Sequence, residues 1–363
     1  MPDGSMAVHR QWATRKNDER FLNLLDMETH FGKLRDNSKA VVAANRSLRI
    51  VPKDDELLIG RGEQEAVINE WAFSQIASLS GAPAGYMRSL PTELAADCLN
   101  YGLKYVRDVE EVGLLVSRDS DDHAALSLRA ATGPRYGRVW NYDITRSLVR
   151  RFGNGIDGTF RVPGVFGQRV EVTKANTTLY AGERDMFVFL CDEVNRIEIK
   201  NRRNGKPGSM ARGFYVWNSE VGAATLGAAF FLFDYVCGNR IIWGMEEFRE
   251  MRIRHTVSAP HRWLEEVSPI IDEYRDGSER PVIAAIEHAR EKRIDDVNEF
   301  LANRFGKNMS KVLIERHQKE EDRPIETLWD AVTAATAYAR DIPNQDNRVA
   351  FERVAGKIME LAQ

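Results

Sequence analysis

Six cations, Arg196, Lys200, Arg202, Arg203, Lys206 and Arg212, stand against one acid, Glu198, in a single short stretch, and Phe214, Tyr215 and Trp217 follow at once. A binder of unpaired nucleic acid needs both kinds of group. Cations neutralise phosphates and release counterions, and flat rings offer bases a stacking face. Those six cations and Tyr215 are therefore candidate nucleic-acid contacts. A solvated hairpin tip above core aromatics accounts for the same residues without a ligand. A second basic and aromatic run, Gly133-Pro-Arg-Tyr-Gly-Arg-Val-Trp140, adds Arg135 and Arg138. The short helical pattern after it is expected to carry Arg146, Arg150 and Arg151 on one side, so Arg150 and Arg151 join the candidates.

Other chemistry is thinly represented. Asp185 followed by Glu198-Ile-Lys200 is the minimal pattern of a metal-dependent nuclease, in which acids hold a divalent cation and a lysine assists the attacking water. Phe73–Tyr86 resembles the first half of a helix-turn-helix, but Pro91 interrupts where a recognition helix should run, which favours an ordinary helical corner. The seven histidines form no ligand pair, and no nucleophile elbow, phosphate-binding loop or dinucleotide fingerprint is present. No catalytic residue, cofactor or metal is assigned.

Net charge is −3, which points away from nucleic acid, but its placement points back. Residues 135–214 carry 15 basic and 8 acidic side chains, whereas residues 1–134 carry 16 and 20 and residues 261–363 carry 16 and 21. A basic middle lies between acidic ends. Cys98, Cys191 and Cys237 are far apart and suggest free thiols in a reducing cytoplasm. No apolar stretch is long enough to span a bilayer, and no secretory leader is evident, so a cytoplasmic protein is expected.

The elements that must hold these residues read as α+β. Residues 1–110 are expected to be a mainly helical region, with an amphipathic helix over Glu63–Ser80, a helix starting near Pro91 and two short strands within Lys39–Leu58. Residues 111–256 are expected to form a core domain around a central antiparallel sheet. Gly113–Ser117 and Ala124–Arg129 form a hairpin there, and Thr177–Tyr180, Met186–Cys191, Arg196–Lys200 and Gly213–Asn218 are strands. The apolar segment Ala223–Tyr235 is read as a helix packed on that sheet, because its length favours helix over strand. Residues 257–363 are expected to be a helical region of acidic amphipathic helices.

The run Tyr215-Val-Trp-Asn-Ser-Glu-Val-Gly222, the segment Phe230-Phe-Leu-Phe and the turn Tyr235-Val-Cys-Gly-Asn239 resemble the core pattern of the phage/plasmid-like family known as domain of unknown function 932. Thr327–Tyr338 and the helix from Arg348 are similar to that family's last helices. The resemblance spans roughly Val112–Leu361. It implies an origin in a phage, prophage or plasmid, and it assigns no catalytic residue. Gly238 and Arg240 depart from the pattern around Asn239, which implies a tighter, more basic turn. Physically, Asn218–Gly222 reads as a capped strand end, or as a polar ligand site at one.

The leading expectation is a mobile-element protein, homo-oligomeric, that binds single-stranded DNA in recombination or replication in a bacterial host. A non-enzymatic interaction or counter-defence protein is the alternative, followed by a metal-dependent nuclease built on Asp185, Glu198 and Lys200.

Overall fold

A computed structural model describes residues 16–106, 110–118, 126–163, 171–203, 206–234, 239–241, 251–342 and 345–362. The fold is α+β, with two sheets flanked by helices. The smaller sheet contains β2 (Ser38–Ala44), β3 (Arg49–Lys53), β4 (Glu56–Arg61), β5 (Gln64–Ile68), β6 (Glu111–Arg118) and β7 (Leu126–Thr132), ordered β2-β6-β7-β5-β4-β3. All of its pairings are antiparallel except β5 with β7. Two helices cover it, α2 (Glu70–Leu79) and α3 (Thr92–Tyr105), and bury Ile76, Leu99 and Leu103 against Ile50, Ile59 and Leu128.

This sheet corrects two expectations. It joins strands from both sides of residue 110, so residues 1–110 are not a separate unit from the chain that follows, and they carry four strands of this sheet besides their helices. The expected helix Glu63–Ser80 is a strand followed by a helix. Asn69 divides them, its side chain accepting the Ala72 N–H at 2.8 Å as an N-cap.

The larger sheet is antiparallel, with β1 (Arg20–Phe21), β9 (Leu179–Ala181), β10 (Met186–Asp192), β12 (Lys206–Asn218), β13 (Leu226–Asp234) and β14 (Asn239–Ile241) in that spatial order. β8 (Phe160–Arg161) pairs with β10, β11 (Ile197–Arg203) with β12, and β15 (Met251–Ile253) with β13. β10 and β11 do not pair with each other. They lie end to end along β12, β10 on its second half and β11 on its first.

The segment expected to be a packing helix is β13 instead. All nine of its residues are buried, so both faces are covered and no period-2 alternation survives to mark a strand. Gly227 fixes its register, because a Cβ there would stand 2.0 Å from the Trp217 ring.

One face of this sheet packs Val188, Leu190, Phe214 and Phe230 against α1 (Leu24–Asp36), α4 (Asn141–Phe152) and α5 (Ser268–Asp276). The opposite face is aromatic, with Phe187, Phe189, Tyr215, Phe231 and Phe233 in mutual contact. The C-terminal helices α6 (Arg280–Glu291), α7 (Val297–Phe305), α8 (Lys307–Glu321), α9 (Leu328–Ala339) and α10 (Gln345–Glu360) share a core with Ile197, Ile199, Met210 and Leu232. The helical C-terminal region is therefore seated on the sheet. No helix among the described residues is long and apolar enough to cross a membrane.

Candidate functional site

Two of the hairpin's candidates, Arg212 and Tyr215, are turned away from solvent. Alternation along β12 turns Arg212 inward, where its guanidinium meets Asp192 at 3.6 Å and Glu279 at 3.9 Å and donates to the carbonyls of Tyr274 at 3.2 Å and Gly277 at 2.7 Å. Arg212 is thus a buried strut between the sheet and the α5–α6 junction. Tyr215 is also buried, its ring stacked on Phe187 at 5.1 Å. Arg196 lies half-buried against Glu193 at 3.1 Å. Among the hairpin cations whose side chains are described, only Lys200 is exposed. Arg202, Arg203 and Lys206 lie on β11 and β12, and their side chains fall outside the described set, as do residues 204 and 205.

The register also separates the nuclease residues. Met186, next to Asp185, pairs with Asn218, and Glu198 pairs with Ser209. Nine residues of one strand put Asp185 about 30 Å from Glu198, so they cannot share a metal. Among the described residues, no group of three or more His, Cys, Asp and Glu side chains is placed to hold a metal ion.

The run Asn218–Gly222 is the corner between β12 and β13, where a strand-to-helix corner was expected. Asn218 is buried and donates to Val139 O at 2.8 Å and Asn141 Oδ1 at 2.7 Å. Ser219 Oγ donates to Arg184 O at 2.6 Å and accepts the Ala223 N–H at 2.9 Å. Glu220 pairs with Arg129 at 3.0 Å across to the smaller sheet, and its other oxygen accepts the Asn141 N–H at 2.8 Å. Val221 O accepts from Trp71 Nε1 at 2.9 Å and Gln75 Nε2 at 2.7 Å. Gly222 turns the chain with φ 83°. The corner bolts the two sheets together through the Asn218 amide N–H groups, Ser219 Oγ and the Glu220 carboxylate. Residues 235–238 of the resembling pattern lie outside the described residues.

Around this corner the structure brings cations and rings together. The loop 133–140 is held by a bond from Gly137 N to His255 O at 3.0 Å and by one between His255 Nδ1 and Gly137 O at 3.1 Å. Gly137 approaches so closely that a Cβ would stand 1.7 Å from Thr256 O. Tyr136 stacks on His255 at 4.8 Å and donates to Ser219 O at 2.8 Å. Arg138 lies over Tyr136 at 5.2 Å and Trp140 at 5.9 Å, and also donates to Glu220 O. Arg35, from α1, lies over Trp140 at 5.7 Å and Tyr142 at 5.3 Å and pairs with Asp143 at 2.6 Å. Arg146 covers Tyr142 at 5.7 Å, and Arg184 covers Trp71 at 5.1 Å.

The result is a ladder of alternating guanidinium groups and half-exposed rings. Arg35, Arg138, Arg146 and Arg184 lie over its rings; Arg35 also pairs with Asp143, and the buried Glu220 is held by Arg129. Burial lowers the pKa values of Arg138 and His255 and raises that of Tyr136. For His255, burial outweighs the bond to Gly137 O and leaves a neutral ring for stacking.

Of the sequence candidates, Arg138 belongs to this ladder, and Arg135 is exposed on the same loop. Arg150 is exposed on α4 alongside Arg146. Arg151 points elsewhere: its Nε bonds both oxygens of Asp272 at 2.9 and 3.0 Å, which clamps α4 to α5. The three arginines therefore do not share one side. Arg35, Trp71 and Arg184 were not singled out as contacts from sequence. They come from three other elements, and no local pattern joins them to the loop. Comparison with protein-family models, with curated proteins and with solved structures finds no match.

Proposed function

We propose that the chain binds single-stranded nucleic acid, DNA of a mobile element, along the arginine and aromatic ladder at the corner between its sheets. The observation that carries this reading is the alternation Tyr136, Arg138, Trp140, Arg35, Tyr142, Arg146. The rings hold the guanidinium groups flat above them, and guanidinium planes so held stack with unpaired bases and neutralise phosphates. The surplus of cations over acids at the ladder supplies the field that the net charge of the chain conceals. The likeness of Tyr215–Gly222 to the phage/plasmid-like family supports an origin in a phage, prophage or plasmid.

Fluorescence anisotropy with a labelled single-stranded oligonucleotide tests this. Binding is expected at roughly 50 mM salt and is expected to weaken steeply with added salt. Changing the exposed Arg135, Arg146 and Arg184 together to alanine should reduce the logarithmic salt slope by about 2, from three lost phosphate contacts. The reading fails if the wild-type chain does not bind. It also fails if the Lys200, Arg202 and Arg203 alanine variant loses binding while the ladder variant keeps it.

A further inference from the structure

Helix α3 carries two apolar stripes, and the chain uses one. Ala95, Ala96, Leu99, Gly102 and Leu103 face inward, and Gly102 sits so tightly that a Cβ would meet Ser80 O at 2.1 Å. The helix is thus locked against its own domain. Its outer surface carries Leu94, Tyr101 and Tyr105, with Cys98, half-buried against the helix's own core, at the edge of the stripe; the four follow at spacings of four, three and four residues. Leu94 is 49% exposed, Tyr101 63% and Tyr105 73%, and the two tyrosine rings contact each other at 5.1 Å. Spacing of that kind is the seam of a two-helix coiled coil. Scattered exposed apolar residues need no explanation, but a seam on a rigid helix does.

The charged flank of the stripe selects its occupant. Glu93, Asp97 and Lys104 are exposed on the same side of the seam, acids toward the N-terminus and the base toward the C-terminus. When two copies of this helix pack antiparallel, equal flanks face one another in reversed order. Leu94 then lies opposite Tyr105 of the second copy, and Cys98 opposite Tyr101 of the second copy. Lys104 falls between Glu93 and Asp97 of the second copy, and the symmetry repeats every contact. A parallel pairing would set this charged flank against the opposite flank of the second copy, out of reach of its own complement. The sequence of the stripe is therefore complementary to itself in one orientation only.

We infer that α3 is a self-association surface that pairs two copies of this chain antiparallel about a two-fold axis between Cys98 and Tyr101. The apolar side chains supply the affinity, and the flank charges fix orientation and register. One helix face of about 16 Å is a small interface, so the dimer forms at micromolar rather than nanomolar concentration. The surface lies on the smaller sheet's cover and does not depend on the nucleic-acid reading.

Sedimentation equilibrium of the full-length chain without oligonucleotide, from on the order of 1 to 200 µM, tests it. A reversible monomer–dimer equilibrium is expected. Lys104→Glu turns four attractive contacts, two from each copy, repulsive and should weaken dimerisation about tenfold. Tyr101→Glu should abolish it. Combining Lys104→Glu with Glu93→Lys and Asp97→Lys should restore it, because the reversed flank is again self-complementary. All these positions are exposed, and circular dichroism is expected to be unchanged. A chain that stays monomeric across the range overturns the inference, as does a dimer indifferent to Lys104→Glu and Tyr101→Glu.

Discussion

Replacing Arg212 with methionine separates a structural role from a binding role. Methionine keeps much of the apolar stem and deletes the guanidinium. Asp192, 1% exposed, loses its cation, and the Tyr274 and Gly277 carbonyls lose a donor. Breaking a buried pair costs about 3–5 kcal/mol. Glu279 is 27% exposed and can rehydrate, which places the expected loss near 3 kcal/mol, the lower end of that range. Urea denaturation followed by fluorescence and circular dichroism reads this as a lower midpoint at unchanged slope.

The loss should depend on pH. Burial raises the pKa of Glu279, with Arg212 opposing and Asp192 adding to the rise. The folded state therefore holds that proton more tightly than the unfolded chain. Stability falls as pH climbs from the ordinary glutamate value of about 4.3 toward the raised one. Without Arg212 the fall is steeper, so the deficit at pH 7 should exceed that at pH 4. Oligonucleotide affinity, measured where the variant is folded, should change by less than about twofold, since a buried group offers no phosphate contact. A variant within about 1 kcal/mol of wild type that binds oligonucleotide markedly less well would refute the strut and return Arg212 to the binding surface.

Gly137→Ala forces a methyl against Thr256 O, so loop 133–140 must move away from His255; thermal stability and oligonucleotide affinity should fall together, and an unchanged anisotropy curve would disconnect the loop from binding. Asp330→Asn removes the charge from a capping box at the start of α9, where Asp330 accepts the N–H groups of Glu326 and Thr327, each at 3.0 Å, and pairs with Arg323. Burial raises the Asp330 pKa, but those bonds outweigh it and leave it lowered. Its contribution, about 1–2 kcal/mol, is complete above the ordinary aspartate pKa of about 3.9 and fades as pH falls through the lower folded value. Denaturation midpoints of variant and wild type should converge in acid; a gap that widens there would contradict the capping role.

How far the sequence could be read depended on whether a residue's partner lay nearby. The β6–β7 hairpin showed itself because alternation and a polar connection are local signals. β13 hid because a strand buried on both faces shows no alternation, and a 13-residue apolar run then looks helical. β5 hid for another reason. Ile68 continues the spacing of Ala72 and Ile76 across the cap at Asn69, so a strand end and a helix face share one apparent period. Arg212 read as a solvent cation because its acids, Asp192 and Glu279, come from a neighbouring strand and from a helix much later in the chain.

The same reasoning explains why the most distinctive run in the chain is not where the chemistry collects. Asn218, Ser219 and Glu220 are three adjacent polar residues at a strand end, a pattern shared by ligand sites and load-transmitting corners. The two differ in where the hydrogen bonds go. Here they go to Val139, Asn141, Arg184 and Arg129, all within the protein. The corner holds loop 133–140 through Tyr136 and Arg138, and it holds Arg184 through its carbonyl. What remains half-exposed around it, Trp71, Tyr136, Trp140 and Tyr142 with the arginines over them, has been positioned by residues that are themselves inaccessible. A change in Glu220 would therefore reach the ladder through Arg138 and Asn141 without any contact between Glu220 and a ligand. The motif supports the arginine–aromatic ladder that we propose as the binding surface.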